Sequence, residues 1–307
     1  MSAQRRAEGF LLAITLIWGS TFVISKALLE HNSPLFYTAF RFTLSAALLL
    51  PFFFRRLTRI PASTLKKGTV LGLLLYVGFA MQTVGLTYTT ASKSAFFTGL
   101  LVVLTPIIHY TVQHVFHLPR RTLKIGNILG VLLAAAGLYL LTSPSGSTFN
   151  VGDGLTLICA VMFACYIVYL DFASSEPDKL QLTFVQFLLC GALGLISALF
   201  FENMKFVPTP ATVASLLYLT IFATIIAMWV QNRYQGDTTP TRAAVIFSME
   251  PVIAATFAYF VRDEIIGTIG VIGAAGIVLG VLFSELSDEI PILRRPLIAS
   301  DTDSAGS

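Results

Sequence analysis

Charge is what this sequence lacks. Of 307 residues 12% are charged and 55% are hydrophobic, where a soluble domain carries about a quarter charged residues. That balance excludes an ordinary soluble enzyme domain and points to the membrane class. The net charge of +4 is too small to attract nucleic acid. Cysteine is scarce as well. Cys159, Cys165 and Cys190 all stand in apolar runs, and their odd number and spacing give neither a disulfide framework nor a metal site. They read as small hydrophobes. Catalytic signatures are missing too: there is no H-E-x-x-H, no G-x-S-x-G, no P-loop and no Asp-rich phosphate motif. Asp171 has no second intramembrane acid beside it in the sequence. No enzymatic activity, metal or cofactor is expected. The connections are too short to supply the charged rings or filter loops of a channel.

What the sequence has is long apolar runs. Ten of them approach the 20 or so residues that cross a bilayer. They begin at Gly9, Pro34, Gly68, Ser94, Ile125, Gly152, Leu180, Val207, Ala243 and Ile265, and end near Leu29, Phe54, Tyr88, Phe116, Leu141, Leu170, Phe201, Asn232, Val261 and Ser284. In lipid every backbone group must bond internally, so these spans are helices. The first, behind Arg5 and Arg6, lacks a cleavage site and reads as a retained helix rather than a signal peptide.

Basic residues sort onto alternate connections. Fifteen fall on one side: Arg5, Arg6, Arg55, Arg56, Arg59, Lys66, Lys67, Arg120, Arg121, Lys124, Lys179, Arg233, Arg242, Arg294 and Arg295. Three fall on the other: Lys93, Lys205 and Arg262. Basic residues stay cytoplasmic, which predicts an even span count with both termini inside. From Glu285 the chain turns polar and reads as a disordered cytoplasmic tail over 285–307.

The pattern repeats. A shift of 145 positions carries Gly9 onto Gly154, Trp18 onto Phe163, Thr38 onto Thr183, Phe42 onto Phe187, and Leu104-Thr105-Pro106 onto Met249-Glu250-Pro251. A shift of 143 carries Gly130 and Gly137 onto Gly273 and Gly280. Five spans per copy is an odd number, so the second copy is inverted in the membrane, the common plan of secondary transporters. The fold expected is an all-α membrane protein of ten transmembrane helices in two inverted five-helix repeats, residues 8–142 and 152–284.

These same residues carry a resemblance. Leu16-Ile17-Trp18-Gly19-Ser20-Thr21-Phe22, Ala39-Phe40-Arg41-Phe42, Gly85-Leu86-Thr87-Tyr88-Thr89, Leu104-Thr105-Pro106 and Met249-Glu250-Pro251 resemble the EamA-type members of the drug/metabolite transporter superfamily. Asp263-Glu264 before Gly270 and Gly273 looks like that family's turn into its last helix. In the first repeat His117-Leu118-Pro119-Arg120-Arg121 stands there instead. The resemblance implies ten helices and export of amino acids, amines or xenobiotics from a multi-pass protein of the plasma membrane, the inner membrane of a bacterium. Uptake stays open, because alternating access runs with its gradients.

Several residues are candidates for the solute path. Arg41 lies about 10 Å into the second span at 1.5 Å per residue. It either anchors an anionic solute group or serves as a structural cation bonded to helix ends. Glu250 precedes Pro251, which cannot bond the carbonyl of residue 247. Its carboxyl is either a proton carrier or cation site, or a protonated acid satisfying that carbonyl. His109, at similar depth, is the expected relay partner. Trp18, Tyr76, Phe79, Gln82, Phe97, Tyr166 and Trp229 offer aromatic and polar walls for an amphipathic solute; packing and lipid contact are the alternative for each. Gly126 with Gly130, and Gly276 with Gly280, form G-x-x-x-G pairs that read as close helix packing. They also leave a homodimer open. The partners expected are a small-molecule substrate and the lipid bilayer.

Overall fold

A computed structural model describes residues 2–57, 59–116, 124–142, 149–262, 267–286 and 290–293. The turns at His117–Arg121 and Asp263-Glu264 lie outside these residues. The described chain is built from helices: α1 (Ala3–Leu29), α2 (Pro34–Leu57), α3 (Ala62–Tyr88), α4 (Ala91–Gly99), α5 (Leu101–Val115), α6 (Ile125–Thr142), α7 (Val151–Ala173), α8 (Lys179–Phe201), α9 (Pro210–Tyr218), α10 (Ala227–Tyr234), α11 (Pro240–Phe247), α12 (Glu250–Arg262) and α13 (Thr268–Glu285). A π-helical stretch, Leu219–Ile226, joins α9 to α10.

Local chemistry starts these helices. Thr209 and Thr239 cap α9 and α11, each followed by a proline at the first helical position, where its missing N–H costs nothing. Asn150 and Asp153 form a reciprocal capping box at α7. Asp178 caps α8 by accepting from Leu180 N and Gln181 N. Pro51 sits inside α2, whose backbone leaves helical geometry at Phe53 (φ −127°, ψ 20°).

Among the described residues, seven segments are long and apolar enough to cross a membrane: Ala3–Leu29, Pro34–Pro51, Ala62–Tyr88, Ala91–Val115, Val151–Ala173, Lys179–Phe201 and Pro210–Asp237. Ile125–Leu141 and Thr268–Ser284 are apolar but shorter. The remaining apolar stretch is divided between α11 and α12, with Ser248 and Met249 between them.

Helices that occupy equal places in the two halves meet each other antiparallel. α6 crosses α13: a Cβ on Gly130 would lie 2.7 Å from Gly280 O, and one on Gly137 2.5 Å from Gly273 O. Gly276 comes within 3.2 Å of Gly137 Cα by the same measure. Only glycine permits such backbone approach. Gly126 is buried nearby, its N–H donating to Leu293 O at 3.0 Å. α2 crosses α8 with Gly191 against Thr43 and Gly194 against Ala39. The other major seams join unlike helices, α3 to α7 and α8, and α1 to α10 and α12. Phe42, Leu71, Leu170 and Phe187 form a buried core among α2, α3, α7 and α8.

One expectation changes here. The tail is not featureless from Glu285: α13 continues to that residue, and a turn over Ile290–Leu293 buries Leu293 to 6% exposure against the start of α6. An apolar side chain and a backbone bond hold it there, which average polarity does not reveal.

Candidate functional site

Three irregularities in the helices surround one cavity. The fourth apolar span breaks at Leu100, between α4 and α5; the ninth breaks at Ser248-Met249; the eighth carries the π stretch. Thr98 and Leu101 flank the first break, Phe247 and Glu250 the second, and all four line the cavity. Non-helical backbone at membrane depth is tolerated where protein buries it or a cavity hydrates it. About 70 Å³ of this cavity is open to the centres of water molecules, room for a few waters or part of a small solute. Trp18, Phe22, Phe79, Phe163 and Tyr166 give it aromatic walls.

The π stretch fixes two of the wall residues. A π turn releases backbone carbonyls from the regular ladder. Trp18 Nε1 donates to Ala223 O at 2.9 Å. Arg41, 3% exposed, donates from Nε to Thr224 Oγ1 at 2.5 Å, and Thr224 in turn donates to Leu219 O. The guanidinium lies 5.0 Å from the Phe79 ring centre and 5.7 Å from that of Phe42, a favourable cation–π geometry. Its Nη groups make no hydrogen bond among the described residues, and Arg41 lines the cavity. Arg41 therefore combines a structural bond at Nε with free donors at its tip.

Glu250 enters the cavity from the first turn of α12. It makes no hydrogen bond among the described residues, so it does not satisfy the Phe247 carbonyl that Pro251 leaves open. No ion pair joins it to Arg41. A cation and a carboxyl thus face one aromatic cavity, each with its charge uncommitted to the other.

Of the wall residues expected from sequence, Trp18, Arg41, Phe79, Gln82, Tyr166 and Glu250 meet at this cavity. Gln82 Nε2 donates to Thr98 Oγ1 at 3.3 Å, and Tyr166 OH donates to Gln186 Oε1 at 2.8 Å. Four others are elsewhere. Tyr76 turns to α8, where its hydroxyl donates to Ser197 Oγ. Phe97 stacks edge-on against Phe96 and Phe149 toward one end of the bundle. Trp229 is 39% exposed in a separate cleft. His109 bonds Gln113 at 3.0 Å, on its own helix. It stands eight residues beyond Leu101, about 12 Å along a helix, which carries it past the cavity.

Sequence reasoning missed Phe163, Met228 and Gln231 on the wall. Phe163 was in view as the repeat counterpart of Trp18. It also missed two ion pairs at opposite ends of the bundle. At one end Asp153 accepts from Lys93 Nζ at 2.8 Å and Thr89 Oγ1 at 2.6 Å. Lys26 donates to Leu86 O and Thr89 O beside it. At the other end Glu8 accepts from Arg242 Nη1 at 3.2 Å and Thr238 Oγ1 at 3.0 Å. The 145-residue shift carries Glu8 onto Asp153 and Lys93 onto Thr238. Extending the repeat one residue upstream of Gly9 and Gly154 exposes this pairing of acids.

A helical bundle with broken helices around a polar–aromatic cavity belongs to the class of multi-pass membrane transport proteins. The sequence model described as the EamA-like transporter family matches residues 5–143 and again 150–286. The chain belongs to that family. An uncharacterized transporter of Archaeoglobus fulgidus is 36% identical over 90% of this chain and 84% of its own. The uncharacterized inner membrane transporter YedA of Escherichia coli is 25% identical over 97% of this chain and 96% of its own. A solved crystal structure superposes at a TM-score of 0.74 over 92% of this chain and 97% of that one, at 19% identity, and so shares the fold.

Proposed function

We propose that this protein is a secondary transporter that exports small organic metabolites bearing an amine, a carboxylate or both, by alternating access. The chain crosses the membrane ten times as two inverted five-helix repeats, with both termini cytoplasmic. Seven long apolar helices, two shorter ones and the divided α11–α12 stretch support the span count. The uneven distribution of basic residues supports the orientation. The antiparallel crossings of α6 with α13 and α2 with α8 support the inversion. Uptake is the same cycle driven by the opposite gradient.

One observation carries the substrate class: Arg41 and Glu250 face a shared aromatic cavity without pairing. The guanidinium tip offers a bidentate fork to a carboxylate. Glu250 offers a carboxylate to an ammonium group, and the aromatic walls take the apolar body and favour a cation. Glu250 is also the coupling group: its carboxyl faces the cavity with no hydrogen-bond partner among the described residues, so it can take up and release a proton as the solute comes and goes. The Asp153–Lys93 and Glu8–Arg242 pairs are the two gates. Each joins the two repeats at one face, and opening that face breaks its pair.

The test is transport by purified protein in liposomes, screening amino acids and organic amines with and without a pH gradient. Arg41→Ala is expected to abolish transport of carboxylate-bearing solutes. Arg41→Lys restores part of it, since the planar fork is lost. Glu250→Gln is expected to stop gradient-driven transport and keep exchange between loaded compartments. Unchanged transport in both Arg41→Ala and Glu250→Gln, with the proteins correctly folded, contradicts the assignment. Tags at Ser2 and Ser307 should both be cytoplasmic, and a cysteine at Ser145 should label from outside.

A further inference from the structure

A second cleft lies behind the π stretch. It has a volume of about 520 Å³ and lies between α2, α8 and α10. Three cations border it: Arg56, Lys179 and Arg233. Phe53, Ile226 and Trp229 supply an apolar flank, exposed to 38%, 38% and 39%. Phe53, where α2 leaves helical geometry, is part of this flank. Arg56 pairs with Asp178 at 2.5 Å but keeps 56% of its side chain exposed. Arg233 is 44% exposed, with Asp237 at 3.8 Å. Lys179 Nζ donates to the Ser174 carbonyl. With the neighbouring Glu176 and Lys67 included, three carboxylates stand against four cations and leave the cleft net positive.

We infer that this cleft holds an anionic phospholipid, its headgroup phosphate among Arg56, Lys179 and Arg233 and an acyl chain along Phe53, Ile226 and Trp229. The inference rests on the membrane orientation proposed above, which sets these three cations at the cytoplasmic leaflet. Two features favour a lipid over a free anion. The apolar flank is continuous with the basic mouth, as an amphipathic occupant requires. Aromatic side chains at this depth match the interfacial belt, and basic pockets between helices bind anionic headgroups. The site also backs onto the solute cavity. Ile225 and Ile226 line the cleft, while Ala223 and Thr224 of the same π stretch hold Trp18 and Arg41. Lipid in the cleft therefore braces the segment that positions the cavity's cation.

Native mass spectrometry of the full-length protein tests this, with phosphatidylglycerol and phosphatidylcholine as the probes. The expected result is retention of phosphatidylglycerol over phosphatidylcholine, weakened about fivefold by each of Arg56→Gln, Lys179→Gln and Arg233→Gln, in line with the usual worth of a basic residue at a charged membrane. Trp229→Ala leaves every charge in place and should also weaken retention. Arg56 steadies the cap of α8, so Arg233→Gln and Trp229→Ala carry the test if Arg56→Gln does not fold. Equal retention of the two lipids overturns the inference. So does retention unchanged in Arg233→Gln and Trp229→Ala, or displacement of the lipid by millimolar inorganic phosphate. Lipid retention is read without transport, so its failure leaves the transporter reading standing. A failed transport screen likewise leaves the lipid site standing.

Discussion

The two ends of the bundle are built from equivalent parts and closed by different means. At the Asp153 end the backbones of α3 and α7 touch. A Cβ on Gly152 would lie 2.5 Å from Gly85 O, and one on Gly85 would lie 2.9 Å from Gly152 O. The repeat shift carries Gly85 onto Val230 and Gly152 onto Ala7. At the Glu8 end, therefore, α1 and α10 are held apart by side chains, including a Phe10–Tyr234 stack at 4.4 Å. The acids differ in the same sense. Asp153 shares its charge among Lys93, Thr89 and the Asn150 N–H of its own cap. Glu8 has no capping N–H and relies on Arg242, Thr238 and Gln4. One end is closed by backbone contact and the other by side-chain contact. Rotamer changes loosen the second; whole helices must move to part the first. Under the alternating access proposed above, the Glu8 end is the one that opens first from this conformation.

Cutting each ion pair gives the largest expected difference. Arg242→Ala leaves Glu8, in a pair whose side chains are 4% and 5% exposed, without its cation. Loss of one member of a buried pair costs about 3–5 kcal/mol. Lys93→Ala leaves Asp153 with the Thr89 hydroxyl and the Asn150 N–H that its own helix cap holds in place, whereas Glu8 keeps only the side-chain donors of Thr238 and Gln4, so the cost falls to about 1–3 kcal/mol. Thermal melts of the two variants in detergent check the order. A larger loss for Lys93→Ala breaks the comparison.

Packing gives the next largest. Gly152→Leu drives a side chain into a backbone oxygen and should cost about 3 kcal/mol, the upper part of the overpacking range. Ala7→Leu, at the counterpart, should cost less because side chains there can shift. Equal losses in the same melts would mean that both ends are packed alike.

The smallest effect is a pH effect at the Glu8 end. Glu176, in the α7–α8 connection, accepts from Thr64 Oγ1 at 2.6 Å and from Lys67 Nζ at 2.9 Å. The Thr64 hydroxyl first, then the Lys67 ammonium, hold its carboxyl below the ordinary value of 4.5. A depressed folded-state value stabilises the protein above pH 4.5, and the contribution fades as pH falls below that point. Glu176→Gln should cost about 1 kcal/mol at neutral pH and progressively less in acid. A cost that does not shrink in acid removes the electrostatic explanation.

Much of this was legible in the sequence. Apolar length gave the places of the long helices, and the 145-residue shift, carried one residue further upstream, would have related the acids at the two ends. Arg41 and Glu250 stood out because charge is rare in such runs. Helix rotation was not legible. Tyr76, Phe79 and Gln82 lie along one broad face, yet packing against α8 draws Tyr76 away from the cavity. Nor did Pro106 and Pro251 mark the breaks themselves, which fall at Leu100 and at Ser248-Met249. The π stretch has no sequence signature at all, and with it the bonds that hold Trp18 and Arg41 to Ala223 and Thr224 were hidden.

The gate assignment is tested most directly by a cavity cysteine, Thr98→Cys, in a background with Cys159, Cys165 and Cys190 changed to Ala. A membrane-impermeant maleimide is applied to right-side-out and to inverted vesicles. Adding Lys93→Ala should speed labelling only from the face that bears Asp153. Adding Arg242→Ala should speed it only from the face that bears Glu8, and by more. Faster labelling of both variants from the same face, or no change in either, contradicts the account.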